Sequence, residues 1–320
     1  MSGIPAVPIP PEATFPGGKR FAFSIIDDTD DSRIENTRPL YDLLTSLGFR
    51  TTKTVWPVDC PEGSADFFAG DTMASAEYRA FCVDLQRRGF EITWHCATME
   101  SSPRERIVRG LETFREIFGS HPSVHANHAL NRENVYWGIN RYRTAVRYLA
   151  GAARGRGGRA FEGEVEGSPY FWGDLCRTHM KYVRNFAFRT VDTLEADPDT
   201  PYTLESTPWV RYWFSASDAP DVETFCRLMS PAAVDRLCER GGACILATHL
   251  GKGYVQGERV DPRVAHIFEY LARLPGWFVP VSNLLDHLIA RGAGRPLAGG
   301  KLLSLELRHF FDRVRSRVWR

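Results

Sequence analysis

RFAFSIIDDTDD, Arg20–Asp31, decides how the rest of the chain is read. Arg20–Ile26 has the aromatic and β-branched content of a buried strand, and it runs directly into Asp27, Asp28, Asp30 and Asp31. An apolar strand ending in carboxylates implies that something is held at its C-terminal end. Working outward, Thr37–Leu47 carries Leu40, Leu43, Leu44 and Leu47 at helical spacing and stops at Gly48, a favoured helix terminator. Phe49–Val55 reads as the next strand. Strand, helix and strand in this order imply a parallel pair joined by a crossover.

The unit recurs along the chain. Ala74–Arg88 is a helix ending at Gly89, and the short strand Phe90–Trp94 delivers His95. Pro103–Phe118 is an amphipathic helix ending at Gly119, followed by Val124 and HANH, residues 125–128. Tyr182–Phe188 and Trp209–Phe214 read as further strands. Pro231–Arg240 is a helix, and the apolar strand Ala243–Thr248 ends at His249. Helices Val264–Leu274 and Val281–Ala290 flank the strand-like Trp277–Val281. The Gly- and Arg-rich segment 150–167 reads as a mobile loop. These signals predict a single-domain α/β barrel over 20–291, with an extended arm at 1–19, insertion loops around 150–180 and 190–208, and a C-terminal helical tail at 292–320.

Composition narrows the partners. The 320 residues exceed a usual domain, but α/β barrels use about 250 or more as one unit. With 43% hydrophobic residues there is material for a large core. The 40 Lys+Arg and 39 Asp+Glu nearly cancel, so no net field draws the protein to nucleic acid or an anionic membrane, and neither partner is expected. The seven cysteines include no C-x-x-C pair, which argues against a disulfide framework or a thiolate zinc knuckle. The N-terminal stretch lacks the basic start and unbroken apolar run of a secretory signal, so the expected location is cytoplasmic.

In a parallel barrel the C-terminal strand ends converge on one face, where the active site is built. Asp27 and Asp28, His95, His125 with His128, and His249 fall at four such ends. Carboxylate plus imidazole suits zinc or a similar divalent ion, with positions left for water and substrate. A lone histidine is usually structural, which is the reading given to His121, His179, His266, His287 and His309. In HANH, one imidazole is expected to point into the site and the other away.

Taken in order, the DD that ends the first strand, the strand-terminal histidine, the late ILATH and the FVPVSNLLDHL that follows it resemble the polysaccharide deacetylases of carbohydrate esterase family 4. The resemblance implies a distorted (β/α) barrel of seven or eight strands and removal of an acetyl group, from an amide or ester on a sugar, with one divalent metal. It assigns Asp27 as general base, Asp28 and His95 as metal ligands, and His249 as general acid. The family's second motif has a further histidine four positions after the first, where this chain has Met99. Glu100, His125 or His128 must then complete the site, and His128 is the assignment adopted, with zinc as the ion. The family's arginine-bearing third motif has no recognisable counterpart; HANHALNREN stands in its place, with Asn127 and Arg132 as candidate substrate contacts. Trp137, Tyr170 and Trp172 are candidates for stacking on a sugar ring. Two other readings follow from the same departures: an inactive barrel that binds carbohydrate or a partner protein, and a hydrolase of a non-sugar amide. The oligomeric state stays open, a homo-oligomer included.

Overall fold

The computed structural model describes residues 15–61, 63–64, 69–154 and 160–318. Most of the expected N-terminal arm and the centre of the expected mobile loop lie outside the described residues. The strands are β1 (Phe21–Asp27), β2 (Thr52–Val55), β3 (Glu91–Trp94), β4 (Val124–His125), β5 (Tyr182–Phe188), β6 (Tyr212–Asp218), β7 (Ala243–Thr248), the hairpin β8 (Val255–Gln256) and β9 (Arg259–Val260), and β10 (Gly276–Phe278). The helices are α1 (Ile34–Ser46), α2 (Ala76–Arg87), α3 (Arg104–Phe118), α4 (Val146–Arg154), α5 (Gly173–His179), α6 (Thr193–Ala196), α7 (Val222–Leu228), α8 (Pro231–Arg240), α9 (Pro262–Ala272), α10 (Val281–Ala290) and α11 (Gly299–Val318).

Strands β1 to β7 pair in chain order, all parallel, and β7 closes on β1 from Ala22↔Ala243 to Asp27↔Thr248. The result is a closed seven-stranded β/α barrel; the strand and helix rhythm predicts the barrel, and seven strands fall within the seven or eight that the family resemblance implies. β10 joins only the start of β1, Phe21↔Gly276 to Phe23↔Phe278. It is shorter than expected because Pro280 starts α10. The segment around 150–180 is more than a loop, since α4 and α5 lie in its described parts.

Alternation along β1 sets the layers. Phe21, Phe23 and Ile25 face outward and pack with Leu40 and Tyr41 of α1 and Phe268 of α9. Ala22 and Ile26 face the lumen with Ala126, Ala216 and Ala247. Small residues suit the inside because a barrel of so few strands leaves little room there. Each fully buried phenylalanine of the outer layer contributes roughly 1.5–3 kcal/mol. The same period of two continues into the acids: Asp27 belongs to the outward set, and Asp28 to the lumen.

The tail helix α11 docks through buried polar groups. Glu306, fully buried, accepts the N–H of Arg143 (2.5 Å) and of Thr144 (3.1 Å), just ahead of α4. His309 sits among Tyr142, Phe186 and Phe188. Its Nε2 accepts from Arg313 Nε (3.4 Å), so Nδ1 carries the proton and faces the Tyr142 hydroxyl (2.8 Å). Burial, with the Arg141 and Arg313 charges, holds His309 well below the ordinary histidine value. The folded protein therefore binds this proton more weakly than the unfolded chain. The contribution to stability is fully present above about pH 6.5 and is lost as pH falls below it, by at most about 1.4 kcal/mol per pH unit. Thermal unfolding between about pH 7 and pH 5 should show this slope, and His309→Gln should flatten it. An unchanged slope in the variant would remove His309 as its source.

Candidate functional site

The lumen-facing positions at the strand ends form one cavity of about 470 Å³, lined among others by Asp28, Asp30, His95, His128, Arg184 and His249. Three imidazoles converge on Asp30. His128 Nε2 lies 2.7 Å from Oδ1, while His249 Nε2 and His95 Nε2 lie 3.0 and 3.4 Å from Oδ2. The far nitrogen of each ring faces an acceptor that cannot donate. His95 Nδ1 meets the Ala126 carbonyl (2.9 Å), His249 Nδ1 the Pro220 carbonyl (2.7 Å), and His128 Nδ1 the Asn131 Oδ1 (2.9 Å). The Asn131 amide is fixed the right way round, because its NH2 donates to the Thr98 and Glu100 carbonyls and to Glu133. Each Nδ1 must therefore carry the proton, which leaves each Nε2 lone pair directed at Asp30 in the neutral ring.

Backbone turns aim these groups. Asp31 and Cys96, immediately after Asp30 and His95, have φ of 58° and 65°, a left-handed conformation that costs non-glycine residues and persists where the surroundings enforce it. Gly251, two residues beyond His249, packs so closely that a Cβ would lie 2.6 Å from the Asp31 carbonyl, tying the two loops together. Burial opposes ionisation of Asp30, but its contacts with His128 and His249 and the nearby His95 ring outweigh it and hold the carboxyl far below the ordinary range. Burial likewise pulls His128 and His249 down, and their contacts with Asp30 bring both above the usual histidine value.

Asp28 faces the cavity but is gripped by Arg184 of β5, Nη1 to Oδ1 at 2.9 Å and Nη2 to Oδ2 at 2.5 Å. Burial raises this carboxyl, and Arg184 with His95 and His249 outweigh that and hold it below the ordinary range. Asp27 does not reach the cavity. It lies in the layer between barrel and helices, fully buried, with Lys53 Nζ at 2.9 Å, Tyr41 Oη at 2.9 Å and the Leu250 N–H at 2.8 Å. A group so enclosed has no path to substrate.

The remaining sequence candidates divide. Asn127 and Trp137 line the cavity, although the Asn127 amide is engaged with the backbone of Val135 and with His125. His125 points outward against Trp172. Trp172 is fully buried, its indole N–H donating to the Glu133 carbonyl, so it belongs to the core and not to a stacking platform. Arg132 and Tyr170 pair with each other away from the cavity lining, and Arg132 also bridges to Glu162. Glu100 is held by Arg106 and Ser64. Met99 fills an apolar patch with Trp56 and Cys60, so the second-histidine position of the motif has become core. Sequence reading left Asp30 without a role and missed Arg184, although a charge inside the apolar strand YVRNFAF was a readable signal.

Asp30, His95 and His128 offer ligand atoms that all lie within 4.8 Å of one another. His95 Nε2 is also buried without a hydrogen-bond partner, an orphan that a cation between these groups would satisfy. One carboxylate and two imidazoles with further positions open match the donor chemistry of a catalytic zinc site.

No protein-family model matches the chain, and no curated protein does. Solved structures match it over nearly its whole length. A Mycobacterium smegmatis protein described as a polysaccharide deacetylase superposes with a TM-score of 0.55 at 14% identity, covering 92% of this chain and 98% of its own. The chain has the polysaccharide deacetylase fold. A Pseudomonas aeruginosa PAO1 protein described in the same terms follows at a TM-score of 0.52 and 12% identity, covering 88% of this chain and 95% of its own. An allantoinase shares the deacetylase fold at a TM-score of 0.51 and 13% identity, over 91% and 99% of the two chains. Among the described residues, no helix is long and apolar enough to cross a membrane.

Proposed function

We propose that the chain is a metal-dependent hydrolase that removes an acetyl group, from an amide or an ester, on a sugar or sugar-containing compound. The observation that carries the reading is the gathering of Asp30, His95 and His128 at the lumen end of a deacetylase-fold barrel, beside the Asp28–Arg184 pair and His249. In this reading Asp30, His95 and His128 hold zinc, and Asp28 takes the role of base that the family resemblance assigns to Asp27. Zinc held there supplies a Lewis acid that polarises the acyl carbonyl and makes a nearby water more acidic.

The chain's own groups do the rest. Arg184 fixes the Asp28 carboxylate in orientation and keeps it ionised, ready to accept a proton from water in the cavity. His249, with Nδ1 tied to the Pro220 carbonyl, presents Nε2 to the cavity, where it is placed to protonate the departing nitrogen or oxygen. Trp137 supplies an apolar wall for a sugar ring. All seven cysteines are free thiols, in keeping with a cytoplasmic setting.

His249→Ala tests the assignment of the acid. The variant should keep its metal and lose roughly 100-fold or more in kcat on an acetamide, whose amine needs a proton to leave. On 4-nitrophenyl acetate, whose leaving group needs none, the loss should be small. Equal losses on both substrates would remove His249 from the acid role.

A second reading is favoured by the allantoinase likeness: hydrolysis of a non-sugar amide in the same cavity. Fold alone does not choose a substrate. Acetate release from a panel of acetylated sugars supports the first reading; turnover confined to cyclic amides supports the second.

A further inference from the structure

The cavity wall carries four cations, and the carboxylates beside them account for three. Arg184 is paired with Asp28, Arg313 with Asp218 at 2.9 Å, and Lys252 faces Asp31 at 3.8 Å. Arg141 has no ion pair among the described residues. Its guanidinium carbon stacks over the Trp137 ring at 4.0 Å and lies 5.8 Å from the Phe186 ring, contacts that use its faces and leave its donors free. Nε and Nη2 are both buried without a hydrogen-bond partner. Burial is the main push on this group; with Arg313 and Arg184, and against Tyr142 and Tyr202, it takes the guanidinium down to about 10, which still leaves a full cation at neutral pH.

The side chain as a whole is half-buried, but these two donors are held away from solvent without a protein partner, which is costly for a cation. The complement that removes the cost is an anion with two or more acceptor oxygens, which a guanidinium binds as a fork. A cavity of about 470 Å³ has room for such a group alongside a sugar-sized body. We propose that Arg141 is the recognition residue for an anionic group, a carboxylate or a phosphate, carried by the substrate at a distance from its acyl group. The identity of the substrate class rests on the hydrolase reading above; the anion site does not require turnover.

Calorimetric titration of the purified protein with methyl phosphate and with lactate tests the site directly. Arg141→Met should weaken binding of at least one probe about tenfold or more, and Arg141→Lys should restore part of it. Arg141→Met should also melt no lower than the wild type, since the arginine has no ion-pair partner to lose. Equal affinities in wild type and Arg141→Met overturn the proposal, as does a variant that melts lower with its probe binding intact. Turnover then separates the two sources of charge: N-acetylglucosamine 6-phosphate and N-acetylmuramic acid are compared with N-acetylglucosamine. A preference for either anionic compound that disappears in Arg141→Met supports the proposal and says which group is read. Equal turnover of the neutral sugar overturns it and leaves deacetylation standing. Probe binding that depends on Arg141, with no turnover of any of the three, supports the anion site and counts against the deacetylase reading.

Discussion

Asp30→Asn should leave the protein folded, empty it of zinc and reduce turnover about a thousandfold or more. The substitution keeps the side chain's size and removes the charge on which His95, His128 and His249 converge. The expected loss follows from the several kcal/mol that a bound cation contributes to the transition state, at about 1.4 kcal/mol per tenfold in rate. Asp28→Asn is the informative partner. Its carboxylate faces Arg184, so this variant should keep its metal and lose turnover. The opposite pattern, with zinc lost from Asp28→Asn and kept in Asp30→Asn, would restore the ligand assignment that the family resemblance implies. Metal content by inductively coupled plasma mass spectrometry, measured beside initial rates, gives both answers.

Asp27→Ala should act on stability instead. Asp27 and Lys53 form an ion pair with both side chains fully buried, and removing the carboxylate strands the ammonium in the layer between β2 and α1. Breaking such a pair from one side costs roughly 3–5 kcal/mol. Exchanging both partners for apolar residues, Asp27→Leu with Lys53→Met, should recover much of the loss, because the pair's attraction is offset by its desolvation. The metal content of the folded fraction should stay at the wild-type level. Denaturant unfolding of the two variants measures the effect. A single variant as stable as wild type but inactive would return Asp27 to the role of base.

The contrast between these two aspartates shows what the sequence carries and what it hides. The barrel is legible because each strand is a short apolar run followed by an amphipathic helix with a clear stop, such as Gly119 after α3, whose φ of 82° closes the helix. The side chain that each strand presents is also legible, but through a subtler signal. Phe21 and Phe23 are bulky and alternate with Ala22 and Ser24, so the small residues mark the lumen and the parity of Asp28 and Asp30 follows. A motif match overrides that parity, because it aligns a pair of acids without asking which face each one takes.

The third ligand shows a different limit. His128 reaches the site from the loop after β4, and Asn131, three residues on, orients it. No local periodicity reports such a loop. Met99, in the position where the motif has histidine, hints that a ligand had to come from elsewhere, and HANH after the next strand marks where, without saying which imidazole. Aromatic candidates were the least legible. Trp137 and Trp172 look alike in composition, and each indole N–H donates to a backbone carbonyl, yet Trp172 is fully buried in the core while half-buried Trp137 lines the cavity.

Anomalous diffraction at the zinc edge, from crystals of the protein grown with zinc, tests the central claim most directly. The account predicts one peak, bounded by Asp30, His95 Nε2 and His128 Nε2 at roughly 2.0–2.2 Å. A peak bounded by Asp28 instead of Asp30, or no peak in this cavity at all, would contradict it.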